Sequence, residues 1–191
     1  YKALKLGVFI VDINNNIIDP ETWDSNKNTV VGAALITEKV AIVIAPESKY
    51  PLKWSTQREV VEGCILASTL SEATNDLNGK ANTEAIIKAF GTEAGAAYYC
   101  SNYTFKNGRK GYLMSAGEAQ EMCLNINKLS QVLNGIGINS SSVKFETGYK
   151  YWTSTQKAGG IVWIVDDNND ISGYMVDYTS PYTIPIYSLY D

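Results

Sequence analysis

The chain of 191 residues contains no histidine. That removes the commonest general base, the commonest metal ligand and every serine–histidine or cysteine–histidine nucleophile arrangement, so hydrolytic readings lose most of their usual machinery. Cysteine is scarce, and the three present, Cys64, Cys100 and Cys123, form no close-spaced ligand pattern and cannot all pair within one chain. Cys100 and Cys123 fall on predicted helices, where cysteine behaves as a small apolar residue. All three are read as free, mostly buried thiols, with one disulfide as the alternative. Positive charge is also short. With 16 Lys and Arg against 20 Asp and Glu, a net charge of −4 and no basic run, little is available to neutralise phosphates. Nucleic acid and anionic membrane surfaces are therefore not expected partners. No stretch reaches the roughly 18–20 consecutive apolar residues of a membrane-spanning helix, so no membrane insertion is expected. Internal repeats and low-complexity tails are lacking too.

What is present is a chain with 45% hydrophobic residues, enough for one good core or a core with an appended lobe. Residues 1–79 read as a β-rich N-terminal segment packed on the same unit. Gly7 to Val11 is an apolar run, Asn14-Asn15-Asn16 marks a turn, and Ile17-Ile18 resumes before Asp19-Pro20 breaks the pattern. Ala33–Ile36 and Val40–Ala45 flank Thr37-Glu38-Lys39 as a hairpin of nearly continuous apolar strands. From Tyr50 to Gly79 the pattern weakens to loops with one short helix. Asn82 is then read as the cap of a helix ending at Gly91, and Thr92 as the cap of the next.

The second half carries sharper signals. Ser115 followed by Glu118 is a capping box, so a helix is expected from Ala116. Ala119, Met122, Ile126, Leu129, Leu133 and Ile136 recur at three- and four-residue steps along it. Residues 149–155 alternate Tyr149, Tyr151 and Thr153 with Lys150, Trp152 and Ser154, predicting a strand with one polar face and one face carrying tryptophan. Residues 161–165 and 174–178 are two further strands, joined by a hairpin loop across 166–173.

Candidate chemistry is thin. Glu118 and Glu121 are the nearest helical carboxylate pair, but Glu118 has a capping role and Glu121 is expected on the wet flank, which leaves no glycosidase-like couple. Asp166-Asp167-Asn168-Asn169-Asp170 offers oxygen ligands of the kind calcium accepts, yet the same residues are those of a solvated turn, and that reading is preferred. The tyrosines are the stronger feature. Tyr149, Tyr151, Tyr174, Tyr178, Tyr182, Tyr187 and Tyr190 are interleaved with Ser, Thr, Asn and Asp, a mixture that recognition surfaces favour because tyrosine gives large contact area at low entropic cost. The plain alternative is that these rings are strand formers that pack. Trp152 and Trp163 are expected in the core.

Taken in order, Cys100, Tyr103, Gly111-Tyr112-Leu113, Ser115-Ala116-Gly117-Glu118, Tyr151-Trp152-Thr153-Ser154-Thr155, Trp163 and Gly173 resemble the C-type lectin-like fold of the formylglycine-generating-enzyme type. Within that family the pattern is similar to gut-bacterial and phage surface proteins, including the variable proteins of diversity-generating retroelements. The resemblance spans residues 80–191. Met114 stands where proline is usual, and Thr183-Ile184-Pro185-Ile186 replaces a final motif that carries arginine. The enzymes of this fold use a reactive cysteine pair near the C-terminal end, and no cysteine follows Cys123 here. The resemblance thus implies an α+β, C-type lectin-like domain (two main helices around twisted antiparallel strands) preceded by the β-rich segment. It also implies a non-enzymatic surface protein, extracellular or on a cell or virion surface, that recognises a cell-surface protein or glycan. The expected contacts are Tyr149, Tyr151, Ser154, Gln156, Asp166, Asn168, Tyr174, Asp177 and Tyr178, with no catalytic residue, metal or cofactor. The alternative is a structural fimbrial-tip or phage-fibre domain that makes subunit contacts.

Overall fold

Short apolar runs rich in Val and Ile, too short for helices, become the strands β1 (Gly7–Asp12), β2 (Ile17–Ile18), β3 (Val30–Ile36) and β4 (Ala41–Ile44) in the computed structural model, which describes residues 5–145 and 148–190. Asp12 organises the first turn. Its carboxylate accepts the backbone N–H groups of Asn14 and Asn16, both at 2.9 Å, and the amides of Asn16 and Asn28. These donors outweigh the upward push of burial and hold the Asp12 carboxyl below its ordinary range.

Helices follow. They are α1 (Leu70–Asn75), α2 (Gly79–Phe90), α3 (Gly95–Asn102), α4 (Ala116–Leu124), α5 (Ile126–Gly135) and α6 (Ser140–Val143). Between and after them lie β5 (Tyr112–Leu113), β6 (Lys150–Ala158), β7 (Ile161–Asp166), β8 (Ile171–Met175) and β9 (Pro185–Ser188). The chain is therefore α+β, with two antiparallel sheets ordered β2-β1-β3-β4-β9-β5 and β6-β7-β8. Val43 pairs with Tyr187 and Ile44 with Ile186, so strands from the first and last parts of the chain share one sheet. Ile10, Leu35, Ile42 and Ile44 face a core completed by Met122, Leu129 and Leu133 of the helices. Phe9, Val11, Ala34 and Val43 face a second core with Phe105 and Tyr187. Burial on both faces is why these strands read as continuous apolar runs rather than alternating ones.

The capping box at Ser115 forms as expected: Glu118 N–H donates to Ser115 Oγ at 3.3 Å and Ser115 N–H to Glu118 Oε2 at 2.8 Å. The single long helix does not. The helical run breaks at Asn125 (φ −110°, ψ 11°), whose side-chain amide donates to the Glu121 carbonyl at 2.9 Å, so the apolar stripe is split between α4 and α5. Glu121 is not on a wet flank either, being buried and paired with Lys39 at 3.6 Å. Asn82 lies inside α2 rather than capping it, and accepts the Ile65 N–H at 2.9 Å while donating to Asp76 at 2.8 Å. Thr92 falls in a 3-10 turn, and α3 begins at Gly95. There φ is +40°, and a β-carbon would stand 2.1 Å from the Lys53 carbonyl oxygen, so the position requires glycine. No helix among the described residues is long and apolar enough to cross a membrane.

The irregular stretch between β4 and α1 is held by tryptophan. The indole N–H of Trp54 donates to the Thr153 carbonyl (2.8 Å), that of Trp152 to Leu52 (2.8 Å) and that of Trp163 to Ala67 (2.9 Å). Each ring is buried, so each pin combines a large apolar contact with a satisfied donor. The cysteines are free, with Cys100 and Cys123 buried and Cys64 half-buried. Burial pushes the Cys64 thiol up to about 12 and the other two well above their ordinary range, which leaves little thiolate.

Candidate functional site

After β8 the chain leaves the sheet and returns along the outside of β6. Tyr182 N–H donates to the Lys150 carbonyl at 2.7 Å, and Trp152 N–H to the Tyr182 carbonyl at 2.9 Å. This return path, together with the bonds between Lys49 and Thr183 in both directions (2.8 and 3.0 Å), gathers rings distant in sequence. Tyr50 stacks on Tyr182 with centroids 4.6 Å apart, and Tyr149 meets Tyr182 edge-on at 5.0 Å. On the other side of β6, Tyr174 packs edge-on against both Trp152 (5.8 Å) and Tyr178 (5.2 Å). Lys150 reaches over the Tyr174 ring at 5.3 Å, and Lys144 lies over Tyr149 at 5.6 Å. The Tyr174 hydroxyl shares a hydrogen with Ser180 Oγ at 2.5 Å. Tyr50 is 49% exposed and Tyr178 54%, so the two clusters present tyrosine to solvent from a fixed backing.

The expected contacts divide. Tyr149, Tyr174, Asp177 and Tyr178 lie on this surface, half-buried or exposed. Asp177 is paired with Arg58 at 2.5 Å, and the guanidinium hydrogen bond holds its carboxyl below the usual range. Asp166 and Asn168 sit on the β7–β8 turn beside Tyr149, whose carbonyl accepts the Asp167 N–H at 3.1 Å. Asp166 turns inward on its own turn, accepting the N–H groups of Asn168 (3.0 Å) and Asp170 (2.9 Å). The oxygen-rich loop thus has the hydrogen bonding of a turn, and among the described residues no group of three or more acidic or cysteine side chains is placed to hold a metal.

Tyr151, Ser154 and Gln156 are corrected from surface contacts to interior residues: each is 0% exposed. Tyr151 packs in the core with its hydroxyl donating to the Lys144 carbonyl at 2.5 Å, and burial drives its phenol far above the ordinary range. Ser154 N–H donates to the Met114 carbonyl at 2.8 Å, joining the two sheets. Gln156 accepts the Val61 N–H at 2.8 Å and donates to the Glu59 carbonyl at 3.1 Å. The alternation along 149–155 suggested a wet face, but β6 is covered on both. Tyr151 faces the helical core and Trp152 the Trp54 cluster, while residues 66 and 182 bridge to its outer edge.

Sequence reasoning did not place Tyr50, Arg58 or Lys150 at the surface, and it named Tyr182 without making it a contact. No local pattern announces them, because Tyr50 and Arg58 arrive through a loop pinned by distant tryptophans. Compared with protein-family models, with characterised proteins and with solved structures, the chain gives no match.

Proposed function

We propose that this chain is a non-enzymatic recognition protein with a C-type lectin-like frame, acting outside the cell or on a cell or virion surface, which binds a cell-surface protein or glycan through Tyr50, Tyr149, Tyr174, Tyr178 and Tyr182. The observation that supports this reading best is the pair of tyrosine clusters, both partly exposed, one of Tyr50, Tyr149 and Tyr182 and the other of Tyr174 and Tyr178 backed by buried Trp152. Such rings offer apolar area and a hydroxyl at little cost in side-chain entropy, since neighbouring rings already limit their rotamers. Lys150, the Arg58–Asp177 pair and Ser180 supply polar contacts at the rim. The experiment is a screen of displayed surface proteins and a glycan array, followed by alanine changes at Tyr50, Tyr174 and Tyr178. Loss of at least about tenfold in affinity for each is expected of central aromatic anchors. Retention of full binding by all three variants would sink the assignment.

A structural fimbrial-tip or phage-fibre role is the second reading. It is favoured by exposed Val60 (50%), Leu66 (47%) and Leu70 (53%), which lie close together in sequence before and at the start of α1. Mass measured against concentration separates the two: a stable oligomer at low concentration supports subunit contacts, whereas a monomer supports recognition.

A further inference from the structure

A cavity of about 510 Å³ that shares no residue with the tyrosine surface opens where β4, β5, β9, α2 and α4 meet. Its walls include Lys39, Asn78, Glu84, Tyr112, Glu118 and Tyr190. A second space of about 340 Å³ is lined by Lys80, Glu84 and Tyr112 in common with the first, so the two adjoin along α2. These volumes fall in the range of small-molecule sites.

The chemistry of the wall narrows the guest. Glu118 is 4% exposed. Its Oε2 accepts from Ser115 N–H at 2.8 Å and lies 3.1 Å from Ser115 Oγ, whose hydrogen goes to the Asp76 carbonyl at 2.6 Å, whereas Oε1 accepts, among the described residues, from the Tyr112 hydroxyl at 2.8 Å. Oε1 therefore keeps acceptor capacity in a desolvated setting. Burial, opposed by the Ser115 and Tyr112 hydrogen bonds, pushes this carboxyl up to about 7, so near neutrality it exists in both forms and can donate as well as accept. An apolar guest would leave the remaining acceptor capacity of the buried carboxyl unsatisfied, which is costly. A strongly charged guest finds no field of one sign: Lys39 and Lys80 are balanced by Glu84 and Glu118, and Lys39 is already paired with Glu121 at 3.6 Å. What remains is a molecule whose groups both donate and accept and which also has an apolar face for the Tyr112 and Tyr190 rings.

We propose that this cavity is a second binding site, for a neutral sugar of one or two rings. Glu118 would hold a ring hydroxyl at the inner wall, Asn78 and Glu84, both exposed, those nearer solvent, and Tyr190, 69% exposed, would cover the C–H face. The adjoining space accommodates the second ring past Tyr112.

The test is calorimetric titration of the whole chain, with saturation-transfer NMR, using cellobiose, lactose and diacetylchitobiose as neutral probes and digalacturonate as the charged comparator. At least one neutral probe is expected to bind, with digalacturonate weaker. Glu84→Ala and Tyr190→Ala alter exposed residues and should fold normally, which circular dichroism verifies; each is expected to weaken binding by about tenfold or more. Tyr178→Ala should leave the same binding unchanged, so that failure of the tyrosine surface as a recognition site and failure of this cavity are separately visible. The proposal is overturned if no neutral probe binds at millimolar concentration, if digalacturonate binds more tightly, if Glu84→Ala and Tyr190→Ala have no effect, or if Tyr178→Ala abolishes the binding.

Discussion

The inner strands of the two sheets, β1, β3 and β4 in one and β6 and β7 in the other, are buried on both faces but reach that state by different routes. In the six-stranded sheet, short turns join β1 to β2 and β3 to β4, and β3 returns to the other edge of β1, so these four strands pair among chain neighbours within the first 44 residues. In the three-stranded sheet the hairpin β7–β8 is also local, but burial of β6 depends on chain from far away: Leu52, Val61 and Ala67 on one side of the sequence, Tyr182 on the other. The first sheet is specified by pattern, whereas the second is specified by a few large residues whose polar atoms find distant carbonyls. The proposed recognition surface grows from the second because that arrangement holds loops of unrelated sequence against one strand.

This contrast can be broken at its pins. Trp152→Ala removes a fully buried indole and its bond to Leu52, and should cost about 3–5 kcal/mol, whereas Ile42→Val in β4 should cost about 0.5–1.5 kcal/mol. Denaturant unfolding of both variants checks this, and equal losses would remove the distinction drawn between the sheets.

Next in size is a pH effect centred on Glu118, which ties β5 to the start of α4. Its carboxyl lies at about 7 in the folded chain against an ordinary 4.5, burial being the main cause. Between those values the folded state retains a proton that the unfolded state has released. Stability from this group is therefore complete below about pH 4.5 and is lost as pH rises toward about 7, by on the order of 3 kcal/mol. Glu118→Gln should flatten that part of the stability–pH curve, read by melting temperature between pH 4.5 and 7.5; an unchanged slope would contradict the assignment.

Ser115→Ala removes one arm of the capping box and a hydroxyl that donates to the Asp76 carbonyl at 2.6 Å, with an expected cost of about 1–2 kcal/mol in the same unfolding assay. The smallest stability effect belongs to the surface itself. Tyr178→Ala should change stability by less than about 0.5 kcal/mol, since its ring is 54% exposed, while reducing ligand binding. A large stability loss there would mean that the ring is structural.

Several features were legible because they depend on neighbours in the chain. The Ser115–Glu118 box, the β3–β4 hairpin, the burial of Trp152 and Trp163 and the presence of a turn after β7 follow from short-range pattern and side-chain chemistry, but the strand expected at 174–178 lies three residues earlier, as β8, because Asp166 to Asp170 alone close the turn. Asn82 and Thr92 were misplaced because a helix cap read from sequence assumes that the side chain serves its own backbone. Asn82 instead serves Ile65 and Asp76, and α2 starts before it. The same holds at the candidate site. Tyr178 and Tyr174 were visible as aromatic residues among small polar ones, but Tyr151, Ser154 and Gln156 look identical in sequence and are enclosed.

By itself the sequence determined which segments are apolar, where the chain turns after β1, β3 and β7, and that a helix starts at the Ser115–Glu118 box, because those properties rest on interactions within a few residues. It also excluded any chemistry that needs histidine. Tertiary structure alone decided that both faces of β6 are covered, which tyrosines stack, and that a buried carboxyl opens onto a cavity. Exposure belongs to the whole packing arrangement: a residue is outside only if no distant part of the chain gains more by covering it.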